Sequence, residues 1–254
     1  MVNVRFNREQ TRACFTLSNP AGNVITGSIV SALRAGLESI AQNPHVKLVT
    51  IEGDGVDFSF GASIPEHAPD RIGEVLPQMH ALIEEMLETP AVTAAIVRGR
   101  CLGGGFELAL ACDFIFSADD ATFGLPEIAL GVFPPAAAAL LPLRVGVARA
   151  SRAILTGQSR PASEWREAGL VELLAPAAAL ESEVDRWFAE HLAPRSGAAL
   201  RFAAAAVRAG LLAQVRATLP LLERLYLEDL MRTHDAGEGI AAFLEKRRPV
   251  WTDQ

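Results

Sequence analysis

The chain has 254 residues, of which 50% are hydrophobic and 21% are charged. This composition supplies enough apolar surface for a folded core and excludes a disordered chain. The 23 Lys and Arg residues stand against 30 Asp and Glu residues, which leaves a net charge of −7. No block of basic residues is long enough to form a face for a nucleic-acid backbone, so we expect no nucleic-acid partner.

The N-terminal 15 residues alternate apolar and charged side chains, which is unlike a secretory signal. No run reaches the roughly 18 uninterrupted apolar residues that a membrane span needs. Prolines and an arginine interrupt the stretch that comes nearest, from Ile128 to Val147. The three cysteines form no CxxC pair and are typical of reduced, buried thiols. These features predict a cytoplasmic protein without a membrane partner.

The first half of the chain alternates strand-like and helix-like segments. Apolar residues at helical spacing follow Thr26, a residue type favoured at a helix N-cap. The predicted elements are two strands within residues 1–18, a turn at 19–23, a helix at 26–42, a strand at 46–51, a helix at 73–88, a strand at 91–97, a glycine loop entering a helix over 99–111, and strands at 114–117 and 121–123. Such alternation predicts an α/β fold with largely parallel pairing and right-handed crossovers.

After Pro134 the pattern becomes almost entirely helical. The predicted helices span 136–146, 148–156, 162–168, 177–191, 197–213, 216–234 and 237–247. The sequence Pro-Arg-Ser-Gly, which begins at Pro194, interrupts the helical pattern. It marks the predicted boundary between a core of residues 1–195 and a helical region of residues 196–254. The alanine-rich helices favour close packing against other helices or other subunits.

The segment Cys101–Ala109 (CLGGGFELA) places three glycines where a predicted strand enters a helix. Glycines there let the backbone approach a ligand, and the free amides of a helix N-terminus can stabilise an oxyanion. Glu107 is the only charge between Leu102 and Cys112, and burial of a lone carboxylate raises its pKa. From these residues alone, a purely structural alternative stays open, in which the glycines serve packing and Glu107 pairs with a distant arginine.

Two further segments, Phe58–Ser63 (FSFGAS) and Ala121–Ile128 (ATFGLPEI), follow predicted strands. Taken alone, each is explained by an ordinary turn or by the first turn of a helix. The five histidines show no metal-ligand spacing, so we expect no metal site. By itself His67 is typical of a solvated loop residue.

The segments FSFGAS, CLGGGFELALACD and FGLPEIALGVFP, in this order and spacing, resemble the enoyl-CoA hydratase/isomerase (crotonase) superfamily. The C-terminal EGIAAFLEKRRPVW resembles the closing segment of that family, so the resemblance covers essentially the whole chain. It implies an α/β, crotonase-like ββα spiral core with a C-terminal α-helical oligomerisation region. It also implies an acyl-CoA thioester substrate, no cofactor beyond the coenzyme A of that substrate, and a homotrimer or dimer of trimers.

The resemblance also implies a role for each motif position. The backbone N–H groups of Ala62 and Gly104 would form the oxyanion hole for the thioester oxygen. Glu107 would position and deprotonate water, and Glu127 would act as the general acid. Members that isomerise or decarboxylate commonly lack one of these carboxylates, so the presence of both favours hydration.

The family binds coenzyme A with a C-terminal Phe and Lys, often supplied by a neighbouring subunit. The matching positions here are Phe243 and Lys246. Arg247 and Arg248 follow directly and would extend a positive patch suited to an anionic ligand. The alternative is a solvated helix end whose cations complement the helix dipole.

Two departures from the usual family pattern concern the acyl pocket. Ala62 is followed by Ser63 where many members carry an acid, and residues 132–142 lack the Gly, Thr and Gln found in many hydratases. The second departure predicts a stiff, apolar pocket wall that includes the alanines at 136–139. Together these departures resemble the cyclohexa-1,5-diene-1-carbonyl-CoA hydratases of anaerobic aromatic degradation. A general enoyl-CoA hydratase, an enoyl-CoA isomerase and a non-catalytic superfamily member remain the alternatives.

Overall fold

The computed structural model describes residues 1–20, 22–68 and 71–254, so Ala21 in the predicted turn at 19–23 lies outside the described residues. The strands are β1 (Val2–Phe6), β2 (Arg12–Leu17), β3 (Leu48–Gly53), β4 (Val92–Val97), β5 (Arg100–Leu102), β6 (Phe114–Ala118), β7 (Thr122–Gly124), β8 (Arg160–Pro161) and β9 (Leu173–Ala175). The α-helices are α1 (Gly27–Ala41), α2 (Ile72–Glu88), α3 (Gly104–Leu110), α4 (Pro135–Val145), α5 (Val147–Thr156), α6 (Ala162–Glu167), α7 (Leu180–His191), α8 (Gly197–Arg224) and α9 (His234–Leu244).

The main sheet has six strands in the order β1-β2-β3-β4-β6-β9. Only the pair β1 and β2 is antiparallel, and the other neighbours pair in parallel. Every residue of β4 is buried, as expected of a central parallel strand that is covered on both faces. The predicted α/β class with largely parallel pairing is therefore confirmed.

The second half of the chain is not entirely helical, which corrects the sequence-based prediction. Leu173–Ala175 forms the edge of the main sheet by pairing in parallel with β6, and Arg160–Pro161 pairs with β7. Strands of two or three residues are too short to show the alternating pattern by which strands are recognised.

A smaller three-stranded sheet, in the order β5-β7-β8, brings two of the sequence motifs together. Strand β5 leads into α3, and β7 leads into a 3₁₀ turn over Pro126–Leu130. The two strands pair in parallel, with Leu102 opposite Gly124. The parallel register places the GGG segment beside the segment that carries Glu127.

Helix α1 shows why the N-terminal helices were predictable. The side-chain oxygen of Thr26 accepts a hydrogen bond from the backbone N–H of Ile29, as predicted for an N-cap. The apolar residues at helical spacing, Ile29, Val30, Leu33, Leu37 and Ile40, are all buried.

Helix α8 replaces the two helices predicted at 197–213 and 216–234. It runs without a break from Gly197 to Arg224 with Pro220 inside it, and a π-helical turn over Leu225–Asp229 follows. Ser196 caps its N-terminus by accepting from the N–H of Ala199. The helix therefore begins where the sequence placed the boundary between residues 195 and 196, and the division into two domains stays a prediction.

Arg208 fixes α8 against the core. Its side chain is buried, forms an ion pair with Asp113, and donates to the backbone carbonyl oxygens of Thr89 and Ala91. A buried guanidinium is costly unless its donors are satisfied, and the carboxylate and carbonyl oxygens satisfy them here. The helix packs on α2 and α4.

The outward face of this helical segment is apolar. An 18-residue window within Gly197–Arg232 has a mean hydropathy of 1.3, and only 17% of that window is buried. By length and composition alone, this one segment could cross a membrane, which the sequence reading did not anticipate. Phe202 and Val207 are 80% and 81% exposed on it. The absence of a membrane partner stays a prediction.

Candidate active site

The turn between β5 and α3 requires glycine at position 103. Gly103 adopts φ 49° and ψ −126°, in a region that residues with a side chain rarely occupy. A Cβ atom at this position would lie 2.5 Å from Oε1 of Glu127. The turn thus lets the backbone pass directly beside the Glu127 carboxyl group.

The loop that carries Ala62 is bonded to β5 along its length. The N–H of Ser59 donates to the carbonyl oxygen of Arg100 at 3.0 Å, and the N–H of Leu102 donates to that of Ser59 at 2.9 Å. The buried Ser59 hydroxyl also accepts from the N–H of Gly61 at 3.1 Å. These bonds fix the loop against the start of α3.

As a result, the backbone amides of Ala62 and Gly104 lie side by side. A Cβ atom built on Gly104 would lie 3.3 Å from the backbone nitrogen of Ala62. Within residues 1–20, 22–68 and 71–254, neither N–H donates a hydrogen bond to another group. Both residues line the same cavity. Two free donors facing one cavity are the requirement for binding a developing oxyanion.

Glu107 lies in the first turn of α3 and is 7% exposed. Its Oε1 accepts a hydrogen bond of 2.8 Å from the N–H of Ala137, whose amide is unpaired because it lies in the first turn of α4. No arginine pairs with it in the described part of the chain, so the structural alternative of a distant arginine partner is wrong. Burial raises the pKa of Glu107 to about 7, although the N–H groups of Ala137 and Ala136 oppose the shift.

Glu127 faces Glu107 from the 3₁₀ turn after β7. Its Oε2 is fully enclosed and has no hydrogen-bond partner among the residues that the structure describes. Burial raises the pKa of Glu127 to about 8, and the nearby charge of Glu107 contributes to the rise. The two carboxyl groups titrate as a pair, with Glu107 the more readily ionised because it alone accepts hydrogen bonds from a helix N-terminus.

The cavity that joins these groups has an empty volume of about 870 Å³, including space open to solvent. Its wall beyond the carboxyl groups is largely apolar and includes the run Val132–Pro135. The predicted apolar wall is therefore present, but the alanines at 136–139 do not line the cavity, and the stiffness of the wall stays a prediction. They form the start of α4, where Ala137 binds Glu107 instead.

Sequence reasoning did not place His67 or Tyr226 in the site. His67 is half-buried and lines the cavity, so the interpretation as a solvated loop residue is wrong. Its Nδ1 lies 2.9 Å from the carbonyl oxygen of Ser63, and burial lowers its pKa. Tyr226 lines the cavity from the π-helical turn after α8, and no motif in the sequence pointed to it.

The predicted coenzyme A residues lie apart from this cavity. Phe243 is 54% exposed near the end of α9, and Lys246 is exposed just after that helix. Neither lines the cavity, whereas Ile240 of the same helix does. Arg247 forms ion pairs with Glu238 and Glu245, so its charge is compensated. The coenzyme A role of Phe243 and Lys246 stays a prediction.

Comparisons with known proteins identify the family of the chain. The family model described as enoyl-CoA hydratase/isomerase matches residues 7–254. Cyclohexa-1,5-dienecarbonyl-CoA hydratase of Thauera aromatica is 44% identical over 241 residues, which cover 94% of this chain and 92% of that protein. The 2,3-dehydroadipyl-CoA hydratase of Escherichia coli strain K12 is 34% identical and covers 96% of both chains.

Solved structures give the same result at the level of the fold. A crystal structure of an enoyl-CoA hydratase from Mycobacterium avium subsp. paratuberculosis superposes with a TM-score of 0.88 and 30% identity, over 99% of this chain and 98% of that chain. This agreement confirms the crotonase-like spiral core with a helical C-terminal region.

Proposed function

The chain belongs to the enoyl-CoA hydratase/isomerase family and is a hydro-lyase of the enoyl-CoA hydratase type, and we propose that it hydrates an alicyclic dienoyl-CoA thioester. The observation that carries this proposal is one cavity that is lined by both Glu107 and Glu127 and by Ala62 and Gly104, whose amides are free. These are the acid, the base and the oxyanion donors that the addition of water to an unsaturated thioester requires.

In the proposed reaction the thioester oxygen lies between the N–H groups of Ala62 and Gly104. Negative charge develops on this oxygen as the conjugated double bond accepts the oxygen of water. Each such donor lowers the barrier by roughly 3–4 kcal/mol when the surroundings exclude water. Backbone amides suit this task because they are already fixed by the loop and by the start of α3.

The two carboxyl groups divide the proton transfers. Glu107, the more readily ionised, takes a proton from the attacking water as the C–O bond forms. Glu127, with the higher pKa, gives its proton to the substrate carbon. Glu107 gains one proton while Glu127 loses one, so the total charge of the pair does not change. The site therefore gains no net charge during the step.

A ring substrate is supported by two observations. The relative from Thauera aromatica, at 44% identity, is named for the cyclohexa-1,5-dienecarbonyl thioester. The Val132–Pro135 wall has two consecutive prolines and no polar side chain, so it is rigid and offers only apolar contacts to an acyl group. A stiff apolar wall matches a compact ring better than a flexible chain.

The test compares hydration of cyclohexa-1,5-diene-1-carbonyl-CoA with hydration of crotonyl-CoA by the purified protein. We expect a higher kcat/KM for the ring thioester. A clear preference for crotonyl-CoA would favour a general enoyl-CoA hydratase of fatty-acid or amino-acid breakdown. Incorporation of ¹⁸O from labelled water into the product distinguishes hydration from isomerisation, because a double-bond isomerase incorporates none.

We further propose that the protein assembles as a homotrimer or a dimer of trimers and needs no cofactor besides the coenzyme A of its substrate. The exposed Phe202 and Val207 on α8 support subunit contacts, since large apolar side chains rarely remain in water together. Light scattering tests the assembly, and a monomeric mass would contradict it. Undiminished activity after dialysis against a chelator is the expected result for the second proposal.

A further inference from the structure

Tyr226 is the only tyrosine of the chain, and it is 1% exposed. It lies in the π-helical turn Leu225–Asp229, a rare geometry that is frequent at functional sites. Its ring packs edge-on against Phe133, with 5.5 Å between ring centroids, and contributes to a small apolar cluster with Leu76 and Val132. The ring is therefore held firmly at the cavity wall.

The hydroxyl group of Tyr226 has no partner. Across the described ranges of the chain, no group donates to it or accepts from it, although the residue is buried and lines the cavity. Oε2 of Glu127, a residue that lines the same cavity, is fully enclosed and has no partner among the described residues. An enclosed polar atom without a partner is costly, so the unpaired Glu127 oxygen and the free Tyr226 hydroxyl beside one cavity point to an occupant that bonds to both.

The phenol is held in its neutral form. Burial raises the pKa of Tyr226, and the charges of Glu127 and Glu107 raise it further. A neutral phenol keeps one O–H donor to offer. Glu127 and Glu107 provide hydrogen-bond acceptors in the same cavity. A water molecule can therefore accept a hydrogen bond from Tyr226 and donate to the two glutamates.

We propose that the Tyr226 hydroxyl donates a hydrogen bond to the oxygen atom that is added to the substrate. The inference rests on the proposed hydration. As water attacks, its oxygen bonds to the substrate carbon, one water proton passes to Glu107, and the Glu127 proton passes to the other carbon. Tyr226 keeps its proton throughout. In the reverse direction the same O–H donates to the hydroxyl group that leaves, which stabilises the charge that develops on it.

The variant Tyr226→Phe removes only this hydroxyl and keeps the ring against Phe133. We expect kcat to fall about ten- to hundredfold and KM to stay within about threefold, because the lost bond forms with the reacting oxygen and not with the bound thioester. The matched control is Thr50→Val, which removes a buried hydroxyl that donates to the carbonyl oxygen of Ala13 outside the cavity. We expect the control to keep the wild-type kcat.

Because the chain has a single tyrosine, protein grown on 3-fluorotyrosine is modified at position 226 alone. Fluorine makes the phenol more acidic and strengthens its donated bond while preserving the packing. We expect kcat/KM to rise by roughly twofold or more in both hydration and dehydration. This readout does not depend on the folding of the Phe variant, and a purely structural role of Tyr226 would leave kcat/KM unchanged.

The outcomes separate this inference from the proposed function. A wild-type protein that hydrates neither thioester would overturn both. An active wild-type protein whose Tyr226→Phe variant keeps kcat within twofold, or whose fluorotyrosine form matches the unlabelled enzyme, would overturn only the role of Tyr226. A large fall in kcat at constant KM, together with the fluorine effect, supports it.

Discussion

Oε1 of Glu107 accepts a 2.8 Å hydrogen bond from the backbone N–H of Ala137 in the first turn of α4. The same helix N-terminus follows residues 132–135 of the cavity wall, so one short segment forms part of that wall and orients the Glu107 carboxyl group. The amide N–H favours the ionised form of Glu107, whereas burial favours the neutral form. The balance leaves this group able to lose and regain a proton near neutral pH.

The proposed oxyanion site depends on the absence of a side chain at Gly104. We expect Gly104→Val to reduce kcat/KM by about 10²–10³-fold, because its side chain would occupy the space beside the Ala62 amide. Gly210→Ala is the matched control, since a Cβ there meets nothing within 4 Å in the middle of α8. Steady-state kinetics on both variants tests this, and normal activity of the Val variant would contradict the placement of the oxyanion hole.

The two carboxyl groups predict a bell-shaped dependence of kcat/KM on pH. Activity should fall at low pH, where Glu107 is protonated and cannot accept a proton from water. It should fall again at high pH, where Glu127 is ionised and has no proton to give. The pKa values of about 7 and about 8 place the optimum near neutral to slightly alkaline pH. A rate that is flat from pH 5 to pH 10 would be inconsistent with this pair.

The raised pKa of Glu127 also predicts a pH-dependent stability. The folded protein holds this proton up to about pH 8, whereas the unfolded chain releases it near the ordinary value of 4.5. The unfolded state therefore binds fewer protons in that interval, and the free energy of unfolding falls as pH rises through it.

Replacement of Glu127 by Gln removes the titrating group. We expect the variant to lose less stability than the wild type between pH 5 and pH 8, by on the order of 1–3 kcal/mol. Urea unfolding of both proteins at the two pH values measures the difference. Parallel losses of stability would show that the carboxyl group ionises as freely in the folded protein as in the unfolded chain.

Lys246 offers a test of the coenzyme A assignment. If it binds a phosphate of the substrate, Lys246→Ala should raise KM by about two- to fivefold with little change in kcat, as expected for an exposed charge pair. Arg8→Ala serves as the control, because it removes one positive charge from an exposed turn that is distant from Lys246 in sequence. Equal KM values for the two variants would exclude a specific role for Lys246.

The sequence predicted those features that depend on local pattern. Thr26 and the helical spacing of Ile29 to Ile40 define α1 without help from the rest of the chain. The GGG segment and Glu127 also follow from local motifs. Their juxtaposition, however, depends on the pairing of β5 with β7, which no local pattern specifies.

Other features arise only from contacts between distant segments. Glu107 accepts a hydrogen bond from a backbone N–H of α4. Every residue type except proline has such an N–H group, so the sequence does not reveal this partner. Strand β9 has three residues and therefore no visible alternation. Tyr226 enters the cavity because α8 docks through Arg208 and ends in a π-helical turn, neither of which has a sequence signature.

In the proposed reaction, Glu107 and Glu127 together add water to an unsaturated acyl-CoA. This role is tested by measuring kcat for hydration of cyclohexa-1,5-diene-1-carbonyl-CoA and crotonyl-CoA by the wild type, Glu107→Gln and Glu127→Gln. Glutamine preserves the size of each side chain. At position 107 its amide oxygen can still accept a hydrogen bond from the N–H of Ala137. We expect each variant to fold and to lose about 10²–10⁴-fold in kcat. An unchanged hydration rate in either variant would show that the replaced carboxyl group takes no part in the reaction.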